Sequence, residues 1–227
     1  MRHILLLAAG IFWLGWVSGC SGAKKGVLSD LPDPVLGTVR AEPTLPPTIV
    51  ERPSRPEPTV PSPMDWIPRG GISPRWSCIV IHHSASQTGG AEAFDRYHRN
   101  VRKWNELGYH FVIGNGTDTR DGEIEVGSRW IKQKHGAHCK TSDNHYNEHG
   151  IGICLVGNFN DHPPTQAQMT SLARLVAFLT RECGIGASRV YTHQGVTHCT
   201  ECPGACFSLA ALKSRVGTEV TAVSHSP

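Results

Sequence analysis

Near the C-terminus the chain reads Thr192-His193-Gln194-Gly195-Val196 and then Thr200-Glu201-Cys202-Pro203-Gly204. Far upstream an apolar run, Ile79-Val80-Ile81, ends in His82-His83-Ser84. Soft nitrogen and sulfur ligands drawn from two distant segments suit zinc, and a catalytic zinc site uses three protein ligands and keeps the fourth tetrahedral position for water. An open position of that kind makes the chain a candidate hydrolase. The residues alone leave the choice of ligands open. Successive strand side chains point to opposite faces, so His82 and His83 cannot both reach one metal from a regular strand. His82 shares a face with Val80 and Ser84, His83 with Ile79 and Ile81, and periodicity does not say which face borders a cleft. Cys199 competes with Cys202 at the other end.

The elements that must position these groups are partly visible. Residues 78–83 form a short apolar run with β-branched residues, read as a buried strand, and 109–113 and 151–156 look similar. Residues 91–104 read as an amphipathic helix charged on one side. A second helix, 165–183, follows Pro163-Pro164, offers Thr165 as an N-cap and aligns Met169, Leu172, Leu175, Val176 and Leu179 on one face. Alternating strands and helices predict an α/β domain with a central mixed β-sheet flanked by helices. Its expected span, 73–216, is the right size for a single core, with 217–227 as a tail.

Residues 1–19 read as a signal peptide: Arg2 and His3 form a charged start, and an apolar stretch too short to span a bilayer comfortably ends in small residues. Val17-Ser18-Gly19-Cys20 resembles a bacterial lipobox, which implies acyl chains on Cys20; an ordinary secretory signal with an incidental Cys20 is the alternative. Each buried methylene contributes about 0.8 kcal/mol, and stable anchoring needs more than one chain. Ser21 rather than Asp at the next position points to the outer membrane facing the periplasm. In the expected tether, 20–72, the composition changes: twelve of the sixteen prolines lie between positions 31 and 74. Such a stretch buries too little apolar surface to offset its ordering entropy and favours polyproline II. At about 3.1 Å per residue it reaches on the order of 100 Å.

A net charge of +3, with no basic block interleaved with aromatics, argues against nucleic-acid binding. If Cys20 is lipidated and Cys202 holds metal, six of the eight cysteines remain: Cys78, Cys139, Cys154, Cys183, Cys199 and Cys206. In an oxidising compartment these fit up to three disulfides, although Cys78 and Cys154 also read as reduced core residues.

Five segments occur in order: Ile81-His82-His83-Ser84-Ala85, Gly108-Tyr109-His110-Phe111-Val112-Ile113, Gly136-Ala137-His138, Gly150-Ile151-Gly152-Ile153-Cys154-Leu155-Val156-Gly157-Asn158-Phe159, and Thr200-Glu201-Cys202-Pro203-Gly204. Together they resemble the zinc N-acetylmuramoyl-L-alanine amidases related to short phage amidases and animal peptidoglycan recognition proteins. The resemblance covers the whole globular region and none of the leader or tether. It implies zinc held by His82, His193 and Cys202, Tyr109 beside the metal-bound water, Thr200 steadying the developing oxyanion, and His138 at the rim of the substrate groove. The implied reaction is hydrolysis of the amide between N-acetylmuramic acid and the L-alanine of the peptidoglycan stem peptide, by a monomer. A phenol titrating near 10 makes a poor base, so Tyr109 is expected to position water or shuttle a proton.

Two departures from the family's pattern stand out. The interval from His193 to Cys202 is one residue longer, with His198 and Cys199 inside it. Where amidases of the anhydro-muropeptide type carry a glutamate, this chain has Cys154. Competing readings are a peptidoglycan-binding or sensing module without catalysis, and a zinc peptidase acting on crosslinks. Histidine protonation near its reference pKa of about 6.5 is expected to weaken metal binding on the acidic side.

Overall fold

The computed structural model describes residues 63–223; the expected signal peptide, Cys20 and most of the Pro-rich stretch lie outside them. Five strands form one sheet in the order β3-β2-β4-β1-β5. They are β1 (Cys78–His83), β2 (Phe111–Ile113), β3 (Ile124–Val126), β4 (Gly150–Leu155) and β5 (Val190–Thr192). β1 runs parallel to β4 and β5, β4 parallel to β2, and only the β2–β3 pair is antiparallel. The sheet is therefore mixed, as the sequence predicts.

The two faces of the sheet differ in chemistry. Ile79 and Ile81 of β1, Ile151, Ile153 and Leu155 of β4, and Phe111 and Ile113 of β2 join the main core. That core is closed by α4 (Gln166–Cys183) and α6 (Leu209–Val223) through Leu172, Leu175, Val176, Leu179, Leu212 and Val216. The other face carries Val80, His82, Gly152, Cys154 and Val112, with Cys154 and Val112 in a separate small cluster. The odd-numbered face of β1 therefore packs into the main core and the even-numbered face, with His82, lies on the other side.

α4 starts as its sequence predicts. The Thr165 hydroxyl accepts from the Gln168 N–H, and the Gln168 side chain accepts from the Thr165 N–H, a reciprocal cap that satisfies two N-terminal donors. Gln168 then donates to the carbonyls of Ile113 and Val156, tying the helix to the sheet. At the other end Gly184 adopts φ 65°, the left-handed conformation that glycine takes without a Cβ penalty.

Several expectations shift. The first helix, α1 (Ala91–Asn100), stops before 104. Beyond it Lys103 has φ 59°, and the chain folds back so that the Trp104 ring stacks on His98 at 4.6 Å between centroids. β2 begins at Phe111 rather than 109, leaving Tyr109 and His110 just ahead of the strand. Packing starts before 73: a 3-10 turn, Pro63–Trp66, buries Trp66 against Phe178 at 5.2 Å, and the Trp66 carbonyl accepts from Trp130 Nε1. α6 runs through the expected boundary at 216. Among the described residues no disulfide joins the seven cysteines. Cys78, Cys139 and Cys154 are buried, and burial pushes the Cys78 thiol up to about 11 and the Cys139 and Cys183 thiols up to about 12, with Cys78 adding to the effect on Cys139.

Candidate metal centre and cleft

Parallel pairing brings the distant segments together. Ile81 of β1 sits opposite Thr192 of β5, so His82 and His193 leave the carboxyl ends of adjacent strands side by side, the end of a parallel sheet where ligands bind. Their rings lie 4.6 Å apart. Thr192 then caps the one-turn helix α5 (His193–Thr197), its hydroxyl accepting from the Gly195 N–H. His198 turns the chain back at φ 55°, and Gln194 N–H donates to the Cys202 carbonyl at 2.7 Å. Beyond this turn Cys199 lies at the surface and Cys202 in the interior.

Ligand atoms of His82, His193 and Cys202 all lie within 4.8 Å of one another. The Cys202 Sγ stands 3.7 Å from His82 Nδ1. Tetrahedral zinc with bonds of about 2.0 and 2.3 Å spaces nitrogen and sulfur about 3.6 Å apart, so the donor set fits zinc in type and the His82–Cys202 pair fits it in spacing. The His83 backbone N–H also points at the sulfur, 3.4 Å away. The His83 ring faces the opposite side, where Nδ1 accepts from the Phe159 N–H at 3.1 Å.

Burial shapes the electrostatics. It holds His82 far below its usual range, with His138 and His193 adding to the effect, and brings His193 down to about 4. Burial also pushes the Cys202 thiol up to about 12, against a smaller opposing pull from the His83 N–H. The two imidazoles are thus already in the neutral form that a metal requires, whereas the Cys202 thiol must give up its proton to bind one.

These groups border a cavity of about 330 Å³ that also takes in Tyr109, His138 and Thr200. The Thr200 hydroxyl accepts from the Cys202 N–H at 3.2 Å, which anchors its oxygen beside the sulfur. Burial raises Tyr109 well above its ordinary value, and a hydrogen bond with Cys154 adds to this, so the phenol stays protonated. Cys154, opposite His82 on β4, is therefore the partner of Tyr109 rather than a catalytic base. His138 lines the cavity and is 8 % exposed, and its Nδ1 stands 3.0 Å from His82 Nε2. The sequence reading missed this contact and the role of Asn147, whose Oδ1 accepts from the N–H groups of His138 and Cys139. Gly152, in the middle of an apolar strand, was the available signal, since a glycine there leaves room for a ring.

Known proteins resemble this chain in sequence and fold. Peptidoglycan-recognition protein SC2 of Drosophila melanogaster is 31% identical over 137 residues, covering 56% of this chain and 68% of the relative. The endolysin of Escherichia phage T7 is 36% identical over 109 residues, 44% of this chain and 64% of the endolysin. Among solved structures, the N-acetylmuramoyl-L-alanine amidase LysC from Clostridium intestinale URNW superposes with a TM-score of 0.51 at 29% identity, covering 64% of this chain and 89% of LysC. Residues 73–205, which include every candidate ligand, match the Amidase_2 model, described as N-acetylmuramoyl-L-alanine amidase, and the chain belongs to that family.

Proposed function

We propose that this protein is a peptidoglycan hydrolase that cleaves the amide between N-acetylmuramic acid and L-alanine, using water activated at zinc held by His82, His193 and Cys202. The observation that carries the reading is the convergence of two imidazoles and one thiol, within 4.8 Å of one another, at the wall of an open cavity. Bound there, zinc supplies Lewis acidity and lowers the pKa of a water molecule toward neutrality. The chain's own groups supply the rest. Thr200, anchored by the Cys202 N–H, keeps its hydroxyl hydrogen to donate to the oxygen of the attacked carbonyl. Tyr109 stays a neutral phenol and orients water or relays a proton. With Cys154 in place of a carboxylate, no acidic side chain serves as base from β4.

The test is digestion of purified sacculi with and without a chelator, followed by identification of the new chain end. Zinc-dependent release of an L-alanine amine is the expected result. A different new amine indicates a crosslink peptidase, and binding without release indicates a recognition module; either outcome defeats the reading. We further propose attachment to the membrane through lipidated Cys20, with the catalytic domain facing the periplasm.

A further inference from the structure

Behind the three candidate ligands lies a hydrogen-bonded relay. His138 stands nearly edge-on to His82, with 5.0 Å between ring centroids. Its Nε2 is 3.2 Å from the Gly150 carbonyl oxygen and its Nδ1 3.0 Å from His82 Nε2. A carbonyl only accepts, so His138 Nε2 carries the hydrogen. A neutral imidazole with its hydrogen on Nε2 keeps a lone pair on Nδ1, the atom that faces His82. The bond between the rings is then donated by His82 Nε2. A neutral His82 protonated at Nε2 has its own lone pair on Nδ1, the atom 3.7 Å from the Cys202 sulfur.

We propose that His138 is a positioning residue, which fixes the tautomer of His82 and aims its Nδ1 lone pair at the metal, with the Gly150 carbonyl as anchor. The scaffold around the ring is built for this. A Cβ added at Gly136 or Gly152 would collide with the His138 ring, so two glycines form the slot that holds it. Asn147 fixes the backbone on which the ring is carried: its Oδ1 accepts from His138 and Cys139 at 2.8 and 2.9 Å, and its carbonyl accepts from Gly136 at 2.8 Å. A histidine that only touched substrate at the rim would require neither the slot nor the bond to Gly150. Partners that orient a ligating histidine typically change metal affinity about 10–100-fold.

The inference rests on the zinc reading of the site, and the experiment separates the two. Long-range proton–nitrogen correlation spectra of histidine-labelled, metal-free protein report the His82 tautomer directly. Zinc affinity is measured by chelator competition for wild type, His138→Phe and His138→Asn; the asparagine Oδ1 takes the place of the Nδ1 acceptor. The expected result is a His82 protonated at Nε2, a loss of about 10–100-fold in affinity for His138→Phe, and recovery to within about threefold of wild type for His138→Asn. A wild-type His82 protonated at Nδ1, full affinity in His138→Phe, or equal losses in both variants would overturn the relay. Should His138→Phe fail to fold, the wild-type tautomer and the asparagine variant decide. A wild-type protein that binds no zinc sinks the metal reading instead, while the tautomer still judges the relay.

Discussion

Protons and a divalent cation compete for the same three side chains, and the structure says which proton is lost. With Cys202 pushed up to about 12 and His193 held down at about 4, the metal-free site at neutral pH is one thiol and two neutral imidazoles. Metal entry therefore expels one proton, from sulfur. Apparent zinc affinity should climb about tenfold per pH unit between about pH 5 and pH 8, with one proton released per ion; calorimetry in buffers of different ionisation enthalpy measures both. Burial lowers both imidazoles, so histidine competition should set in below the reference value near 6.5. The ligand assignment makes a second prediction. His82→Ala and Cys202→Ser should lose stoichiometric zinc. His83→Ala, whose ring accepts from Phe159, and Cys199→Ser, at the surface, should retain it by metal analysis. Zinc kept in Cys202→Ser and lost in Cys199→Ser would move the site to the other cysteine.

Each element places its chemistry through one or two residues, and these explain what the sequence reveals. The alternation in β1 shows that only one of two histidines can bind, but which face is buried by α4 depends on strand order, a long-range fact. α4 is legible because its cap and apolar stripe are local. The end of α1 is not, because it depends on Trp104 returning to His98 and on Asp95 accepting from the Leu107 N–H. The three-residue strands β3 and β5 carry too little pattern to register. At this scale Gly152→Ala should force the His138 ring from its slot; overpacking of this kind costs about 1–3 kcal/mol, and a urea melt paired with zinc titration should show stability and affinity falling together. Glu106 supplies a pH test. Burial opposes its ionisation, but hydrogen bonds from Ser128 and Lys132 outweigh that and bring its carboxyl down to about 2 from an ordinary 4.5. A depressed carboxyl contributes stability that is complete above about pH 4.5 and lost as pH falls toward 2. Glu106→Gln should flatten the decline in urea midpoint across that window.

At the scale of the whole molecule, the boundary between packed domain and tether decides how the domain would be attached. Trp66 lies inside the stretch read as tether, yet it is 2 % exposed and packs on Phe178. Trp66→Ala should therefore destabilise the domain by about 3–5 kcal/mol, the usual cost of truncating a buried aromatic. Among the described residues no helix is long and apolar enough to cross a membrane, and the proposed attachment rests on Cys20, which follows Val17-Ser18-Gly19 at the end of an apolar run. Several acyl chains on one cysteine would hold the protein firmly, since each buried methylene contributes about 0.8 kcal/mol. The proline-rich segment would then separate the lipid from the first packed residues near 63 and let the cleft reach wall polymer away from the bilayer. Cys20→Ala should convert a membrane-associated protein into an unprocessed or soluble one, while zinc content and sacculus digestion by the purified domain stay unchanged. Detergent-free fractionation reads the first effect and metal analysis the second; wild-type protein found wholly in the soluble fraction would defeat the anchor and leave the amidase reading untouched.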